Sequence, residues 1–357
     1  YFYHIFESKN FDNRLGIMQT EKRFEENIKT KTQLEDNLKN IIYGIEGELS
    51  LFEKVGACFY AAILKNKQKF SFPQKNELTQ TIYENALYFI FRLLFIAYFE
   101  DKNRDFLKAH LYFEEEISIK NILKKLENID FESGKDKYNA FKHLLDIFNM
   151  YSSGDANIDI PLFNGGLFDE EKAMLLKYLP KVFSNSDLKE ILSKLFYFEK
   201  DGVLFVRDYK TLSVTHLGSI YEGLLSYFFE IASETVHYVK LKSKKKNEKA
   251  TEFYVNADSY DFNLYKKDFE ILGTMQTYQK GQIYLKNTSN SRKTTASYYT
   301  PEVFTNFLVQ SALQNNLNDE NILKFKILDN SCGSGAFLIE ALNQITEIIY
   351  LDLQEGF

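Results

Sequence analysis

The chain has 357 residues, 45% of them apolar, and its 44 Lys and Arg residues against 50 Asp and Glu residues give a formal charge of -6. An apolar fraction of this size excludes a disordered tail and a collagen-like rod, and the length predicts roughly two domains. Two cysteines cannot build a disulfide framework, and the five histidines show no metal-ligand spacing, so we expect a reducing, cytoplasmic setting. The mild acidity argues against a basic surface over the whole protein, although it allows a local basic patch.

Residues 1–200 read mainly as a helical domain. Apolar residues recur at three- and four-residue spacing, and in Ala86–Phe99 they surround nearly the whole helix, which predicts a buried central helix. That run is too short to span a bilayer, which needs about 20 apolar residues, so we expect no membrane association. Pro161 and Asn164-Gly165-Gly166 predict a break, and a further helical stretch is expected from about Asp169 to Leu195, with Pro180 interrupting it.

Residues 201–290 read as a mixed connector with short strands. Asp201-Gly202 lies between two apolar runs and predicts a hairpin, which a helix over Val214–Ser233 should follow. Strands are expected at Thr235–Leu241 and Thr251–Val255, and a lysine-rich hairpin tip joins them. The lysines proposed to contact DNA phosphates are Lys244, Lys245 and Lys246. A polar connector over 276–295 should contain one short strand, at 282–285.

Residues 291–357 read as the opening of an α/β domain. Thr300 suits a helix N-cap and Pro301 the first helical position. Phe325–Leu328 predicts a short strand, and helical periodicity resumes over Ala336–Tyr350. Strand, glycine turn and helix in this order are the first βα unit of a doubly wound sheet.

The glycine turn between that strand and helix is Asp329-Asn330-Ser331-Cys332-Gly333-Ser334-Gly335. Two glycines let the backbone approach a ligand closely. A dinucleotide fingerprint would need Gly or Ala where Leu338 stands, and no Gly-Lys-Ser/Thr ending marks a phosphate-binding P-loop. The carboxylate of Asp329 repels phosphate and attracts an ammonium group, so S-adenosylmethionine has a suitable charge. Taken alone, the turn is also compatible with a tight connection that binds nothing.

Two segments together carry a family resemblance. Ser297-Tyr298-Tyr299-Thr300-Pro301, followed by Asp329 to Phe337, resembles the adenine-specific DNA methyltransferases of the gamma order. Asn330 stands where that family usually has proline. Three further segments are similar to single-chain type IIG restriction-modification enzymes and to the methyltransferases of BREX phage-defence systems. They are Leu93-Leu94-Phe95 with Glu100-Asp101, Phe163 to Phe168, and Leu217 to Leu225.

The resemblance implies a SAM-dependent DNA N6-adenine methyltransferase with double-stranded DNA as its partner. Its fold would be mainly α with a small β-containing segment, followed by the first part of an α/β Rossmann-like methyltransferase domain over 291–357. The residues implied in binding S-adenosylmethionine are Tyr299, Thr300, Pro301, Asp329, Ser331, Cys332, Gly333, Ser334 and Gly335. The first three would lie near the methionine part of the cofactor, and the turn would form its main cradle.

The family's catalytic Asn-Pro-Pro-Tyr motif, which holds the flipped adenine, is absent from this chain. Prolines occur only at 73, 161, 180 and 301, so no two are adjacent. Phe325–Leu328 would also lack neighbouring strands. We therefore expect a truncated fragment that ends inside its methyltransferase domain and has no catalytic activity.

Two other functions are open on the sequence. The helical bulk and the lysine cluster fit a non-enzymatic DNA-clamp or connector module, and the chain could instead belong to the modification subunit of a type I system. Glu7-Ser8-Lys9 matches the second half of a nuclease metal site only weakly. Mg²⁺ would be needed only if a nuclease domain preceded this chain.

Overall fold

A computed structural model describes residues 36–42, 50–72, 74–107, 112–129, 139–163, 165–181, 183–200, 202–212, 214–243, 251–256, 269–287, 300, 302–314, 316–317, 322–333 and 335–354. The chain divides into two compact units. The larger unit comprises residues 38–210 and 227–288, and the smaller comprises residues 1–37, 211–226 and 289–357.

The larger unit is helical up to residue 196 and mainly β-stranded after it. Residues 36–42 are helical at the boundary of the two units. The α-helices that follow are α1 (Leu51–Lys65), α2 (Lys75–Lys102), α3 (Arg104–Leu107), α4 (Ile119–Glu127), α5 (Ala140–Ser153) and α6 (Asn185–Phe196). Shorter turns of 3-10 helix cover Lys67–Lys69, Leu176–Lys181 and Tyr209–Thr211, and a π-helical turn covers Phe113–Ile117.

Helix α2 forms the centre of this unit, as predicted from the apolar residues on nearly all sides of Ala86–Phe99. Phe89 is fully buried and packs its ring against Phe59, Phe141 and Phe148 at centroid distances of 5.8 to 6.4 Å. Fully burying one such side chain contributes on the order of 2 kcal/mol. The helix passes the length and composition test for a membrane span, but 61% of its most apolar stretch is buried inside the protein. Burial in a core therefore accounts for its composition.

Arg92 of α2 holds the loop that contains Gly165 and Gly166. Its Nε donates to the carbonyl of Leu167 and its Nη2 to the carbonyl of Asp169, both at 2.8 Å. The guanidinium lies over the rings of Phe148 and Phe168. A buried arginine is costly unless it is hydrogen-bonded, so these carbonyls and rings define its position.

Glu100 and Asp101, at the end of α2, join three neighbouring segments. Glu100 accepts from the Ser118 hydroxyl at 2.9 Å and from the backbone N–H of Ile119 at 2.8 Å, so it caps the start of α4. Asp101 forms ion pairs with Arg104 and Lys120, and its other oxygen accepts from the backbone N–H of Tyr209 at 2.8 Å. The Glu100-Asp101 pair is thus a structural junction within the larger unit.

The described strands of the larger unit form three antiparallel sheets. The strands are β1 (Tyr197–Lys200), β2 (Val203–Val206), β3 (Tyr227–Ile231), β4 (Val236–Ser243), β5 (Thr251–Asn256), β6 (Phe269–Tyr278) and β7 (Ile283–Asn287). Strand β1 pairs with β2, β3 with β7, and β4 lies between β5 and β6. The predicted hairpin at Asp201-Gly202 is confirmed, and so are the strands on either side of the lysine cluster.

Gly56 of α1 lies directly against the ring of Phe229 in β3. A Cβ atom built at residue 56 would be 2.2 Å from Phe229 Cζ, a separation that atoms do not tolerate. The Phe229 ring in turn stacks on Phe52, with centroids 5.3 Å apart. The missing side chain therefore allows helix and sheet to pack in contact.

Three sequence predictions are wrong in this part of the chain. The helical stretch expected over 169–195 is interrupted near Pro180 as predicted, but it is α-helical only from Asn185: turns and a 3-10 helix precede it, and Ser184 caps α6 with Asp187 completing the capping box. The expected helix over Val214–Ser233 ends at Leu224, and the aromatic run from Tyr227 forms β3 instead. The polar connector is shorter than expected, since β6 extends into it and β7 covers 283–287.

The smaller unit contains helices α7 (Val214–Leu224), α8 (Glu302–Gln314) and α9 (Ala336–Gln354), with a 3-10 turn at Ile322–Lys324. Helices α8 and α9 pack through Val309, Leu313 and Ala341. The predicted strand at Phe325–Leu328 is absent: these residues have no regular secondary structure, and no described strand pairs with them. Leu328 is 90% exposed, as expected for an apolar segment without a sheet to enter.

Taken together, the described chain is mostly helical with small sheets. This observation agrees with a mainly-α protein that carries part of a methyltransferase domain. The Rossmann-like fold of residues 291–357 and the division at residues 200 and 290 stay predictions.

Candidate cofactor site

The described part of the candidate site is the turn between residue 329 and the start of α9. Gly333 and Gly335 have φ angles of 52° and 79°, a region that side chains rarely adopt. The backbone N–H of Gly335 donates to the carbonyl of Cys332 at 2.7 Å, and the N–H of Ile339 donates to the carbonyl of Gly335 at 2.9 Å. The glycines therefore turn the chain sharply into α9, as the sequence predicts.

Asp329 uses one carboxylate oxygen to shape this turn. Its Oδ1 accepts from the backbone N–H of Ser331 at 2.9 Å, which forms an Asx turn. Its Oδ2 is buried, and within the described part of the chain it has no hydrogen-bond partner. A buried carboxylate oxygen without a donor costs free energy, so this atom is suited to accept from a ligand.

The backbone around Gly335 has room for a ligand. A Cβ atom built there would have the Sγ of Cys332 and the Cδ1 of Ile339 as its nearest neighbours, at 3.9 and 4.0 Å. Cys332 is a free, exposed thiol. Both Asp329 and the glycines thus fit a ligand that approaches the backbone and presents a cationic group.

S-adenosylmethionine satisfies these two requirements. Its ammonium group would supply the donor that Asp329 Oδ2 lacks, and the positive φ of Gly333 and Gly335 excludes side chains that would hinder its approach. The described residues contain no group of three or more His, Cys, Asp or Glu side chains that could hold a metal ion.

Of the predicted cofactor residues that precede the turn, only Thr300 is among the described residues. Thr300 is half-buried before α8, and its carbonyl accepts from the Thr305 hydroxyl at 3.4 Å. No hydrogen bond among the described residues joins Thr300 to the turn. Tyr299, Pro301 and Ser334 lie outside the described residues, as do Lys244, Lys245 and Lys246.

The structure also shows a polar pairing that sequence reasoning missed. Asn306 of α8 donates to Glu340 Oε1 of α9 at 2.7 Å, and Gln344 donates to both Glu340 and the carbonyl of Asn306. The spacing of Glu340 and Gln344, four residues apart on one helix face, was the available signal. These bonds fix α9, and hence the turn that begins it, relative to α8.

A cavity of about 410 Å³ lies between α8 and α9, beside Gln310, Gln314 and Leu351. None of the described turn residues lines it. Leu313 of the buried α8–α9 cluster also lines this cavity, so the cavity belongs to the packing of the two helices.

Comparison with known proteins gives one match, and it covers the segment that contains the glycine turn. Searches of curated proteins and of solved structures gave no significant match. The sequence model of the family described as N-6 DNA methylase matches residues 275–353, which include Thr300, the glycine turn and most of α9. This match supports an adenine DNA methyltransferase family for that part of the chain.

Proposed function

We propose that residues 291–357 are the cofactor-binding opening of a SAM-dependent DNA N6-adenine methyltransferase, from a type IIG restriction-modification or BREX-like system. The observation that carries this proposal is the glycine turn, with its unpartnered Asp329 oxygen, inside the segment that matches N-6 DNA methylases. We further propose a cytoplasmic location and double-stranded DNA as the partner.

Each residue of the turn has a distinct role in the proposed site. Asp329 would accept a hydrogen bond from the ammonium group of the cofactor through Oδ2, while Oδ1 keeps the turn closed. Gly333 and Gly335 would let the backbone lie against the ligand. The bound cofactor would supply the methyl group that DNA receives.

The chain contains no Asn-Pro-Pro-Tyr motif, so we assign to it none of the residues that hold the adenine. The proposal for this chain is therefore cofactor binding and DNA contact. Methyl transfer would need those further residues.

Replacing Asp329 tests the cofactor site. We expect Asp329→Asn to weaken S-adenosylmethionine binding by about 10- to 100-fold in calorimetry, because a charge-assisted hydrogen bond contributes about 1.5–3 kcal/mol. Asp352→Asn, at the far end of α9, is the matched control and should bind like the parent. Equal affinity of all three proteins would contradict the proposed role of Asp329, and no binding by the parent would contradict the site itself.

A DNA-clamp module is the second candidate function. Strands β4 and β5 pair from Val236–Asn256 to Leu241–Thr251, so the connection between them carries Lys244, Lys245 and Lys246. We expect replacement of these three lysines by alanine to weaken binding to duplex DNA at low salt. The slope of log affinity against log salt should fall by about 0.9 for each lost phosphate contact. Lys65, Lys67 and Lys69, replaced by alanine, serve as a control of equal charge; an unchanged slope in the first variant would reject the clamp.

A further inference from the structure

Glu53 of α1 is a buried carboxyl group at the place where this helix meets two of the sheets. It is 6% exposed. Its carboxyl accepts hydrogen bonds from the hydroxyl of Tyr278 in β6 and from the backbone N–H of Leu285 in β7. Strand β6 belongs to the three-stranded sheet, and β7 forms the two-stranded sheet with β3. A single side chain of α1 is therefore bonded to both sheets.

Neighbouring contacts belong to the same interface. The carbonyl of Leu285 accepts from the hydroxyl of Tyr254 in β5 at 2.6 Å, so the backbone of this residue is bonded on one side to α1 and on the other to the three-stranded sheet. Phe229 lies opposite Leu285 in the β3–β7 register. Its ring lies against Gly56, three residues after Glu53 on the same face of α1. Both members of the Phe229–Leu285 pair thus contact the helix.

The carboxyl of Glu53 lacks a compensating charge. Its Oε1 is buried and has no hydrogen-bond partner among the described residues. Lys54, the next residue, pairs instead with Asp187 and Glu190 of α6. A buried carboxylate without a cation is costly when it is ionised. Burial therefore raises the pKa of Glu53 to about 7, and the bonds from Tyr278 and Leu285 offset part of this effect.

The other titratable side chains described around this interface are mostly tyrosines. They are Tyr83 of α2, Tyr238 of β4, Tyr254 of β5, Tyr278 of β6 and Tyr284 of β7. Glu230 of β3 and Lys286 of β7 form an ion pair at 2.9 Å and are both about 40% exposed. His237 of β4 bonds to the exposed Thr277, whose side chain alternates with that of Tyr278 across the sheet. Among these groups, Glu53 is the carboxyl that is removed from water.

We propose that the contact of Glu53 with Tyr278 and Leu285 is a pH-dependent switch: the protonated carboxyl keeps β6 and β7 on α1, and its ionisation lets these strands open locally. In the open state the carboxyl is solvated and has its ordinary pKa of 4.5. The closed state then keeps a proton that the open state has lost, so closure weakens as the pH rises from 4.5 to 7 and levels off above it. Each pH unit in this window should favour opening by up to about tenfold.

The switch would act on more than the two strands. Strand β4 pairs with both β5 and β6, so the connection that carries Lys244, Lys245 and Lys246 would move with the three-stranded sheet. None of the residues of the switch belongs to the glycine turn, so the inference does not depend on the proposed cofactor site.

Hydrogen–deuterium exchange of the full chain, followed by mass spectrometry, tests the switch. Exchange is measured at one-unit steps from pH 5 to 9, and each rate is divided by the intrinsic rate at that pH. We expect the protection of peptides covering 278–287 to fall by up to about tenfold per unit between pH 5 and 7 and then to stay constant. Protection that is independent of pH in this segment would overturn the inference.

Two glutamine variants separate local opening from unfolding of the whole unit. Glu53→Gln has no proton to lose, so the protection of 278–287 should no longer depend on pH. Glu100→Gln removes another buried carboxyl of the larger unit and should leave that dependence in place. A dependence retained in Glu53→Gln, or lost to the same extent in Glu100→Gln, would overturn the inference.

Tyr278→Phe provides the answer if Glu53→Gln does not fold. It retains the ring but removes a hydrogen bond that lowers the pKa of Glu53. The pH at which protection stops falling should therefore move above its position in the parent. An end point at the same or a lower pH would show that the exchange is not controlled by Glu53 and would overturn the inference.

Discussion

The environment of α2 and that of the α8–α9 pair differ in how their apolar residues are used. Around α2, Phe89 is completely buried, and its ring packs against those of Phe59 and Phe141. On α8, Phe304 and Phe307 are 56% and 57% exposed, and among the described residues of the pair three side chains form the buried cluster. The larger unit contains most of the described core, and the smaller contains the residues that we propose to bind the cofactor.

Truncating one phenylalanine in each region should give the largest difference in the free energy of unfolding. Phe89→Ala removes a fully buried ring and should lower the free energy of unfolding by about 4 kcal/mol. Phe307→Ala removes a ring that is mostly in solvent and should change it by less than about 0.5 kcal/mol. Urea unfolding followed by circular dichroism measures both. Similar losses in the two variants would mean that α8 is buried to a degree the structure does not show.

Removing Asp101 should have the next largest effect. Asp101→Ala leaves the backbone N–H of Tyr209 without its acceptor and Lys120 without its ion-pair partner, at a cost of about 3 kcal/mol. Asp105→Ala, an exposed carboxylate on the next turn, is the matched control. If the two variants unfold at the same urea concentration, the junction does not stabilise the larger unit.

Two buried carboxyl groups of the larger unit, Glu100 and Glu53, should make its stability depend on pH. Burial raises the pKa of Glu100 from 4.5 to about 7, and the hydrogen bonds from Ile119 and Ser118 offset part of this effect. Burial likewise raises the pKa of Glu53 to about 7. Between pH 4.5 and 7 the unfolded chain has lost these protons while the folded chain keeps them, so stability falls as pH rises through this window.

Each group should contribute up to about 3 kcal/mol over that range, and the curve should flatten above pH 7. Glu100→Gln should reduce the slope between pH 5 and 7 in urea unfolding, whereas the exposed Glu84→Gln should not. A slope that is the same in both variants would show that Glu100 titrates normally.

The sequence predicted the elements whose formation depends on residues close together in the chain. The all-round apolar character of Ala86–Phe99 identified α2, and Asp201-Gly202 identified its hairpin, because each signal lies within a few neighbouring residues. The turn after Asp329 was predicted for the same reason, because backbone at positive φ favours glycine and the glycines are visible in the sequence.

Features that depend on distant partners were missed. Tyr227–Ile231 continued a helical pattern in the sequence, but pairing with β7, more than fifty residues later, made it a strand. Phe325–Leu328 has strand-like composition and no described strand to pair with. The buried Arg92 gave no sequence signal for its acceptors, which lie 75 and 77 residues further along the chain.

The contact between Gly56 and Phe229 has a consequence for sequence variation. Gly165 has nothing within 4 Å of a built Cβ atom, so a library of substitutions there would retain many residue types. At residue 56 the smallest added side chain would already overlap the Phe229 ring, and a functional library would keep glycine unless the ring were shortened as well. Variation at residue 56 is therefore coupled to variation at residue 229: any side chain at 56 requires a smaller residue at 229.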